Sequence, residues 1–200
     1  LARSSAASDV YKRQFYAGMI AIQTLWAGPW LVKVAGATPA QAAQGLFGIN
    51  LSMLVAFWLW GLLNPRLARR GWSAERLIAW GLPLALVVLA GNVVLGHRAG
   101  WPLWALFCVC SSVGALAQPA VGMALPAHAA GRALSAYNLV IFAGVFAMQW
   151  AIGLTADALA GAGWDEALRL RGAVAVYGLA ALLSWLGFLR VRSRRAGGLH

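Results

Sequence analysis

Residues 77–96 read LIAWGLPLALVVLAGNVVLG, a stretch in which no side chain carries a formal charge. An α-helix rises 1.5 Å per residue, so about 20 apolar residues are needed to cross the roughly 30 Å hydrocarbon core of a bilayer. A backbone in hydrocarbon must also satisfy its own hydrogen bonds, which a helix does within a single segment. This stretch therefore predicts a transmembrane helix.

Five more apolar segments of similar length occur in the chain, two before this stretch and three after it. Apart from Lys33 at the end of the first segment, none of the segments contains Asp, Glu, Arg or Lys. The predicted spans are residues 15–34, 45–63, 77–96, 101–125, 133–156 and 172–189. The third and fourth are joined only by Gly96–Gly100 and must form an antiparallel hairpin. The predicted fold class is all-α, a polytopic membrane protein with six transmembrane helices.

The composition supports a membrane protein. The 200 residues are 62% apolar and 10% charged, whereas soluble domains are roughly 45–50% apolar and about 25% charged. Eleven tryptophans suit a chain that meets two membrane interfaces in every span. A net charge of +11 can indicate a nucleic-acid binder, but the basic residues form short clusters between apolar runs rather than one basic face. We therefore expect the lipid bilayer as a partner and exclude nucleic acid.

The basic residues also predict the orientation of the chain. Two of the loops and the tail together hold nine Lys or Arg residues, and the opposite loops hold four. Basic residues collect on the cytoplasmic side, so residues 190–200 form a basic cytoplasmic tail, and the expected location is the bacterial cytoplasmic (inner) membrane. The nine are Arg66, Arg69, Arg70, Arg76, Arg132, Arg190, Arg192, Arg194 and Arg195; the four are Lys33, Arg98, Arg169 and Arg171.

The first fourteen residues differ from the rest. Residues 1–14 are small and polar, and the sequence does not begin with Met. The run SSAASDVYKRQ at residues 4–14 resembles translated sequencing-adapter sequence, so residues 1–14 are interpreted as a non-native segment. On this interpretation the native chain begins upstream and the sequence is a fragment.

The second-to-third loop carries a recognisable motif. Residues 61–71 read GLLNPRLARRG, which resembles the cytoplasmic signature Gly-x-x-x-Asp-Arg-x-x-Arg-Arg of the major facilitator superfamily, with Pro65 in place of Asp. Gly131-Arg132-Ala at the start of the fifth span and Gly153 to Asp157 at its end resemble the eleventh helix of such transporters. The resemblance implies helices seven to twelve, the C-terminal half of a secondary active transporter. The implied partners are the missing N-terminal half and a small solute, with or without a coupling ion.

The resemblance implies a substrate cavity lined by the first, second, fourth and fifth helices, and polar groups inside those spans are its candidate residues. Gln23, Trp26 and Trp30 share a predicted helical face, and Gly28-Pro29 predicts a break or kink beside them. Hydrogen bonding between helices, without a ligand, is the alternative interpretation of each residue. The cavity candidates are Gln23, Trp26, Trp30, Asn50, Ser111, Gln118, Asn138 and Gln149; the predicted cytoplasmic gating loop contributes Gly61, Arg66, Arg69, Arg70 and Gly71, together with Arg132.

No enzymatic site is predicted. His97, His128 and His200 lie in loops or the tail, and Cys108 and Cys110 lie in an apolar run at a spacing that places them on different helix faces. We expect no metal, no cofactor and no enzymatic activity. The alternative to a transporter half is a non-catalytic, permease-like or partner-binding six-helix membrane subunit.

Overall fold

The computed structural model of the chain describes residues 16–116 and 127–197. Within these ranges the protein is helical and contains no strand, which confirms the all-α prediction for the described residues. The predicted non-native segment, residues 1–14, and residues 117–125 of the fourth predicted span lie outside them. In chain order the helices are α1 (residues 16–33), α2 (Pro39–Arg69), α3 (Ala74–Leu95), α4 (Trp101–Ser111, continued by the 3-10 turn Ser112–Leu116), α5 (Ala127–Gly161) and α6 (Glu166–Gly197).

Four of the described helices, α2, α3, α5 and α6, are long and apolar enough to cross a membrane. The segment Trp101–Leu116 is apolar but shorter. Helix α1 is interrupted by a π-helical segment, Ile22–Trp26. Length and composition thus support membrane embedding, with four rather than six long apolar helices in the described ranges.

Three helices begin at side-chain caps. Thr38 starts α2 with a capping box: its Oγ1 accepts a hydrogen bond from the Gln41 backbone N–H at 3.3 Å, and the Gln41 side chain accepts one from the Thr38 N–H at 2.9 Å. Ser73 and Asp165 cap α3 and α6, each accepting from the backbone N–H three residues later. These caps fix where the helices start.

Helix α2 is longer than the sequence predicts. A loop is expected after residue 63, but the helix continues through Pro65 to Arg69. Pro65 has no N–H to donate to the carbonyl of Gly61. One residue further on, the Arg66 guanidinium donates to the carbonyl of Leu62 at 3.0 Å. At 31 residues the helix is about 46 Å long, so its last turns extend beyond the hydrocarbon, where polar helix formers such as Arg continue it.

A glycine ends α2. Gly71 has φ +77°, a conformation that glycine adopts without steric cost. Its N–H donates to the carbonyl of Ala68, and the N–H of Trp72 donates to that of Leu67, each at 3.0 Å. These two bonds form a Schellman motif. The predicted gating loop is therefore reduced to residues 70–73, and most of its arginines lie on the helix.

Helix α1 lies at the centre of the described helices. It packs on α2 and α4, contacts α5 through Ile22–Trp26, and reaches α6 through Ala27–Lys33. Its main anchor is Trp30, whose Nε1 donates to the carbonyl of Ala99 at 3.1 Å and whose ring meets Trp104 edge-on at 5.1 Å. The face of α1 that carries Gln23 and Thr24 lies between α2 and α5.

Close approach of α2 and α4 depends on two glycines. A Cβ at Gly45 would lie 2.8 Å from the Cβ of Trp101, and a Cβ at Gly48 would lie 2.8 Å from its ring. Small residues at such positions allow membrane helices to pack backbone to backbone. The pair thus makes room for Trp101 at the start of α4.

Helices α3 and α6 are joined by Arg171. Its guanidinium on α6 donates to the carbonyl of Val93 through Nε at 3.1 Å and Nη2 at 2.9 Å, and to that of Val94 through Nη2 at 3.3 Å. The last carbonyls of a helix have no donor within the helix and carry a partial negative charge. Arg171 therefore caps the C-terminal end of α3 with a cation from another helix.

Candidate functional site

The π-helical segment of α1 sets the directions of its polar side chains. Within it the backbone N–H of Ala27 donates to the carbonyl of Ile22, five residues earlier. Pro29, one turn further on, has no N–H for the carbonyl of Leu25. A break or kink is predicted beside Gly28-Pro29; the helix Ala27–Lys33 is unbroken at Pro29, and the irregularity is the π segment just before it. Such single π turns often occur at functional sites.

Gln23 extends from this segment toward α2. Its Nε2 donates to Oδ1 of Asn50 at 3.0 Å. Asn50 in turn donates through Nδ2 to the carbonyl of Leu46, one turn earlier on α2, at 2.8 Å. The asparagine is thus held in place by its own helix while its oxygen receives the glutamine of α1.

The next residue, Thr24, is turned toward α5. Gln149 of α5 donates through Nε2 to Oγ1 of Thr24 at 3.0 Å, and that hydroxyl donates to the carbonyl of Ile20 at 2.7 Å. Two adjacent residues of α1 therefore contact two different helices. We refer to Gln23, Thr24, Asn50 and Gln149 as the polar cluster.

The polar cluster lies at mid-depth of the helices. Gln23 is ten residues from Lys33, Asn50 is eleven residues from the start of α2, and Gln149 is twelve residues from the end of α5. At 1.5 Å per residue these separations are about 15 to 18 Å. Half of a roughly 30 Å hydrocarbon core is about 15 Å, so a membrane boundary at these three helix ends would place the three amides near the bilayer centre.

Two cavities lie beside the polar cluster toward the Lys33 end, and both are lined by Gly153 and Asp157. One, of about 290 Å³, includes Leu25 and Gln149 in its walls. The other, also about 290 Å³, is bounded by α1, α5 and α6 and includes Trp26. The polar cluster thus opens onto a cavity through Gln149.

Charged side chains of both signs line the second cavity. Glu166 pairs with Lys33 at 3.2 Å and with Arg169 at 3.4 Å. With Asp157, the walls carry two acidic and two basic groups, whose formal charges cancel. Because Lys33 and Glu166 are about half exposed, such pairs contribute on the order of 0–1 kcal/mol. The cavity therefore offers charges of both signs and no net charge.

The structure separates the tryptophans that the sequence places on one face. Trp26 lines the cavity beside Gly153, and its Nε1 has no hydrogen-bond partner among the described residues. Trp30 is 1% exposed and is held by Ala99 and Trp104 in the core. Trp30 therefore lines neither cavity.

The remaining candidates for the cavity lie away from the polar cluster or outside the described residues. Ser111 is fully buried in α4 and donates through Oγ to the carbonyl of Phe107 at 2.7 Å, so it belongs to the core and lines neither cavity. Asn138 is exposed on α5, eleven residues from Gln149, which corresponds to about 16 Å. Gln118 lies outside the described residues.

The basic residues at the other end are mostly helical. Arg66 and Arg69 form the last turn of α2, and Arg70 is its C-cap. Arg132 is exposed and lies in the second turn of α5. Cations suit the C-terminal end of a helix, where the carbonyls carry partial negative charge. This arrangement stabilises the end of α2.

The candidates chosen from the sequence omit Thr24, which lies in the π segment and links α1 to α5 through Gln149. The usable signal is Pro29, because a proline within a helix leaves a carbonyl without a donor and favours a local irregularity. The sequence also predicts a helix end near Asp157, but α5 continues past it to Gly161.

In the described ranges no group of three or more His, Cys, Asp or Glu side chains could hold a metal ion. No family model matches the chain, and neither does any curated protein. The candidate site therefore stands on its own geometry: a polar cluster at mid-depth, with two cavities beside it.

Proposed function

We propose that the chain is the C-terminal six-helix half of a secondary active transporter of the major facilitator type. It moves a small solute across the bacterial cytoplasmic membrane by alternating access. The observation that carries the proposal is the polar cluster, in which Gln23 and Thr24 of α1 are hydrogen-bonded to Asn50 of α2 and Gln149 of α5.

The cost of polar groups in lipid supports this proposal. Thr24 and Asn50 are exposed in the described helices. The amide oxygens of Gln23 and Gln149 accept no hydrogen bond from any residue that the structure describes. In hydrocarbon an unsatisfied polar group costs up to several kcal/mol. Such a face is stable only against water, a solute or another helical unit. A cavity between two halves provides the first two.

The cavity chemistry supports a class of solute. The polar cluster offers amide and hydroxyl groups without a formal charge. The cavity that Gln149 lines adds the carboxylate of Asp157, and the second cavity, which shares Asp157, adds Glu166, Lys33 and Arg169. Groups of this kind bind a neutral or zwitterionic solute through hydrogen bonds. The proposed substrate is therefore a small neutral or zwitterionic molecule.

The missing half would cover α2 and α5. The most apolar stretches of these two helices have the smallest buried share among the four long helices, 17% in α2 and 22% in α5. Large apolar side chains such as Phe47 and Phe146 are exposed on them. One half alone has no partner to rock against, so transport requires the other six helices.

The test measures whether water reaches the polar cluster in the parent protein, which on this proposal has six further spans upstream. Cys108 and Cys110 are first replaced by Ala. Gln149→Cys and the matched control Ala151→Cys are then treated with a membrane-impermeant thiol reagent. We expect Gln149→Cys to react at least tenfold faster, because the two positions share a depth but face about 200° apart.

Equal, slow labelling at both positions would argue against a water-filled cavity and refute the proposal. Rapid labelling of Gln149→Cys in the chain alone, suppressed by an unrelated protein partner, would instead favour the partner-binding subunit. Flux in proteoliposomes completes the test: the chain alone should give none, and co-expression with the upstream half should restore it.

A further inference from the structure

An apolar groove of about 330 Å³ runs between α3 and α6, and none of its lining residues belongs to the polar cluster. Every lining residue is Ala, Gly, Val or Leu, including Leu86 and Val93 of α3 and Val174, Gly178 and Leu182 of α6. A groove of this composition has no hydrogen-bonding requirement along its length. It suits a hydrocarbon chain.

A cation lies at one end of this groove. Arg171 donates to the carbonyls of Val93 and Val94, and both of those residues line the groove. These bonds use Nε and Nη2. Nη1 has no acceptor among the described residues, which leaves two N–H donors on its edge. A guanidinium is well matched to the oxygens of a phosphate.

The distance from Arg171 to the far end of the groove matches one leaflet. Eleven residues separate Arg171 from Leu182, which corresponds to about 16 Å along α6. One leaflet contributes about half of the roughly 30 Å hydrocarbon core. A lipid whose phosphate meets Arg171 would therefore lay an acyl chain along the groove and end near the bilayer centre.

We propose that the groove between α3 and α6 binds one glycerophospholipid, with an acyl chain between the helices and its phosphate on the Nη1 edge of Arg171. The charge of the guanidinium and the apolar walls select the same amphipathic molecule. The proposal depends on membrane embedding but not on transport, since the groove shares no residue with the polar cluster. Failure of one proposal therefore leaves the other standing.

The experiment is native mass spectrometry of the purified chain in detergent, with added phosphatidylglycerol or with diacylglycerol of the same acyl chains. The wild type should retain one phosphatidylglycerol and at least tenfold less diacylglycerol. Ala175→Phe, which fills the groove and leaves Arg171 in place, should lower phosphatidylglycerol occupancy about tenfold. Arg171→Gln should do the same. Ala143→Phe, an equal change on the exposed surface of α5, should have no effect.

Each remaining outcome would overturn the proposal. Equal retention of diacylglycerol would remove the role of the phosphate. Wild-type occupancy in Ala175→Phe would place the lipid elsewhere. A dimer mass that Ala175→Phe abolishes would show that a second copy of the chain covers the groove. Thermal unfolding of each variant, followed by circular dichroism, verifies that lost binding does not come from lost folding.

Discussion

Replacing Trp30 by Phe is expected to destabilise the protein far more than replacing Trp26 by Phe. Trp30→Phe removes the indole N–H that donates to the carbonyl of Ala99, a residue with no exposed surface. A buried carbonyl left without a donor costs about 1–3 kcal/mol. The smaller ring also loses packing against Trp104, at about 0.8 kcal/mol per buried methylene equivalent. The sum is roughly 2–4 kcal/mol.

Trp26→Phe is the matched control on the same helix. The Nε1 of Trp26 is buried without a hydrogen-bond partner in the described part of the chain, so its removal loses no bond. Substituting Phe also removes the cost of desolvating that N–H. We expect a change within about 1 kcal/mol in either direction, because the smaller ring offsets part of this gain.

The assay uses the buried thiol of Cys108, which is 1% exposed. In a Cys110→Ser background, a thiol-reactive dye reports unfolding as Cys108 becomes accessible during denaturation in mixed micelles. The midpoint and slope give the change in unfolding free energy for each variant. Equal losses for the two tryptophan variants would refute the assignment of Trp30 to the core and Trp26 to the cavity wall.

The glycines and helix ends give three further predictions. Gly18→Ala should destabilise the protein by about 1–3 kcal/mol, since a Cβ there would collide with the Tyr177 ring. Gly61→Ala, with nothing within 4 Å of the added Cβ, should stabilise helix α2 by about 0.5–1 kcal/mol; the same dye assay compares the two variants. A reporter enzyme inserted at Arg70 should read as cytoplasmic and one in the loop at 162–165 as external; the reverse pattern contradicts the orientation. If the parent protein transports a solute as proposed, Arg69→Gln combined with Arg70→Gln should slow solute flux and leave solute affinity unchanged, while a large affinity loss at normal turnover would contradict a gating role.

The helices are predictable from the sequence, but their ends are not. An uncharged stretch such as residues 77–96 marks the part of a helix that lies in hydrocarbon. Outside it, helix continuation depends on caps and on polar helix formers, which leave no apolar signature. For that reason the sequence predicts a loop at Arg66 and Arg69, and it predicts that α6 starts several residues after its actual start at Glu166.

The candidate site is predictable as a set of polar residues and not as an arrangement. Gln23, Asn50 and Gln149 are conspicuous because amides are rare within apolar spans. Their pairing depends on the π segment, since a regular helical wheel places Trp30 beside Gln23 and leaves Thr24 out. A helical-wheel prediction assumes a constant number of residues per turn. It assigns residues to the wrong face after one irregular turn. The role of these residues in solute binding stays a prediction.

The π segment Ile22–Trp26 also sets the rotation of the N-terminal part of α1 relative to its C-terminal part. A π turn uses one residue more than an α turn for the same advance, so it acts as a phase shift of about 100° between the N-terminal and C-terminal parts of the helix. Deleting a single residue there would restore a uniform helix, and with Trp30 in place it would turn Gln23 and Thr24 away from Asn50 and Gln149. Trp30 thus fastens one part of the helix to the core, while the other part directs its hydrogen bonds to α2 and α5.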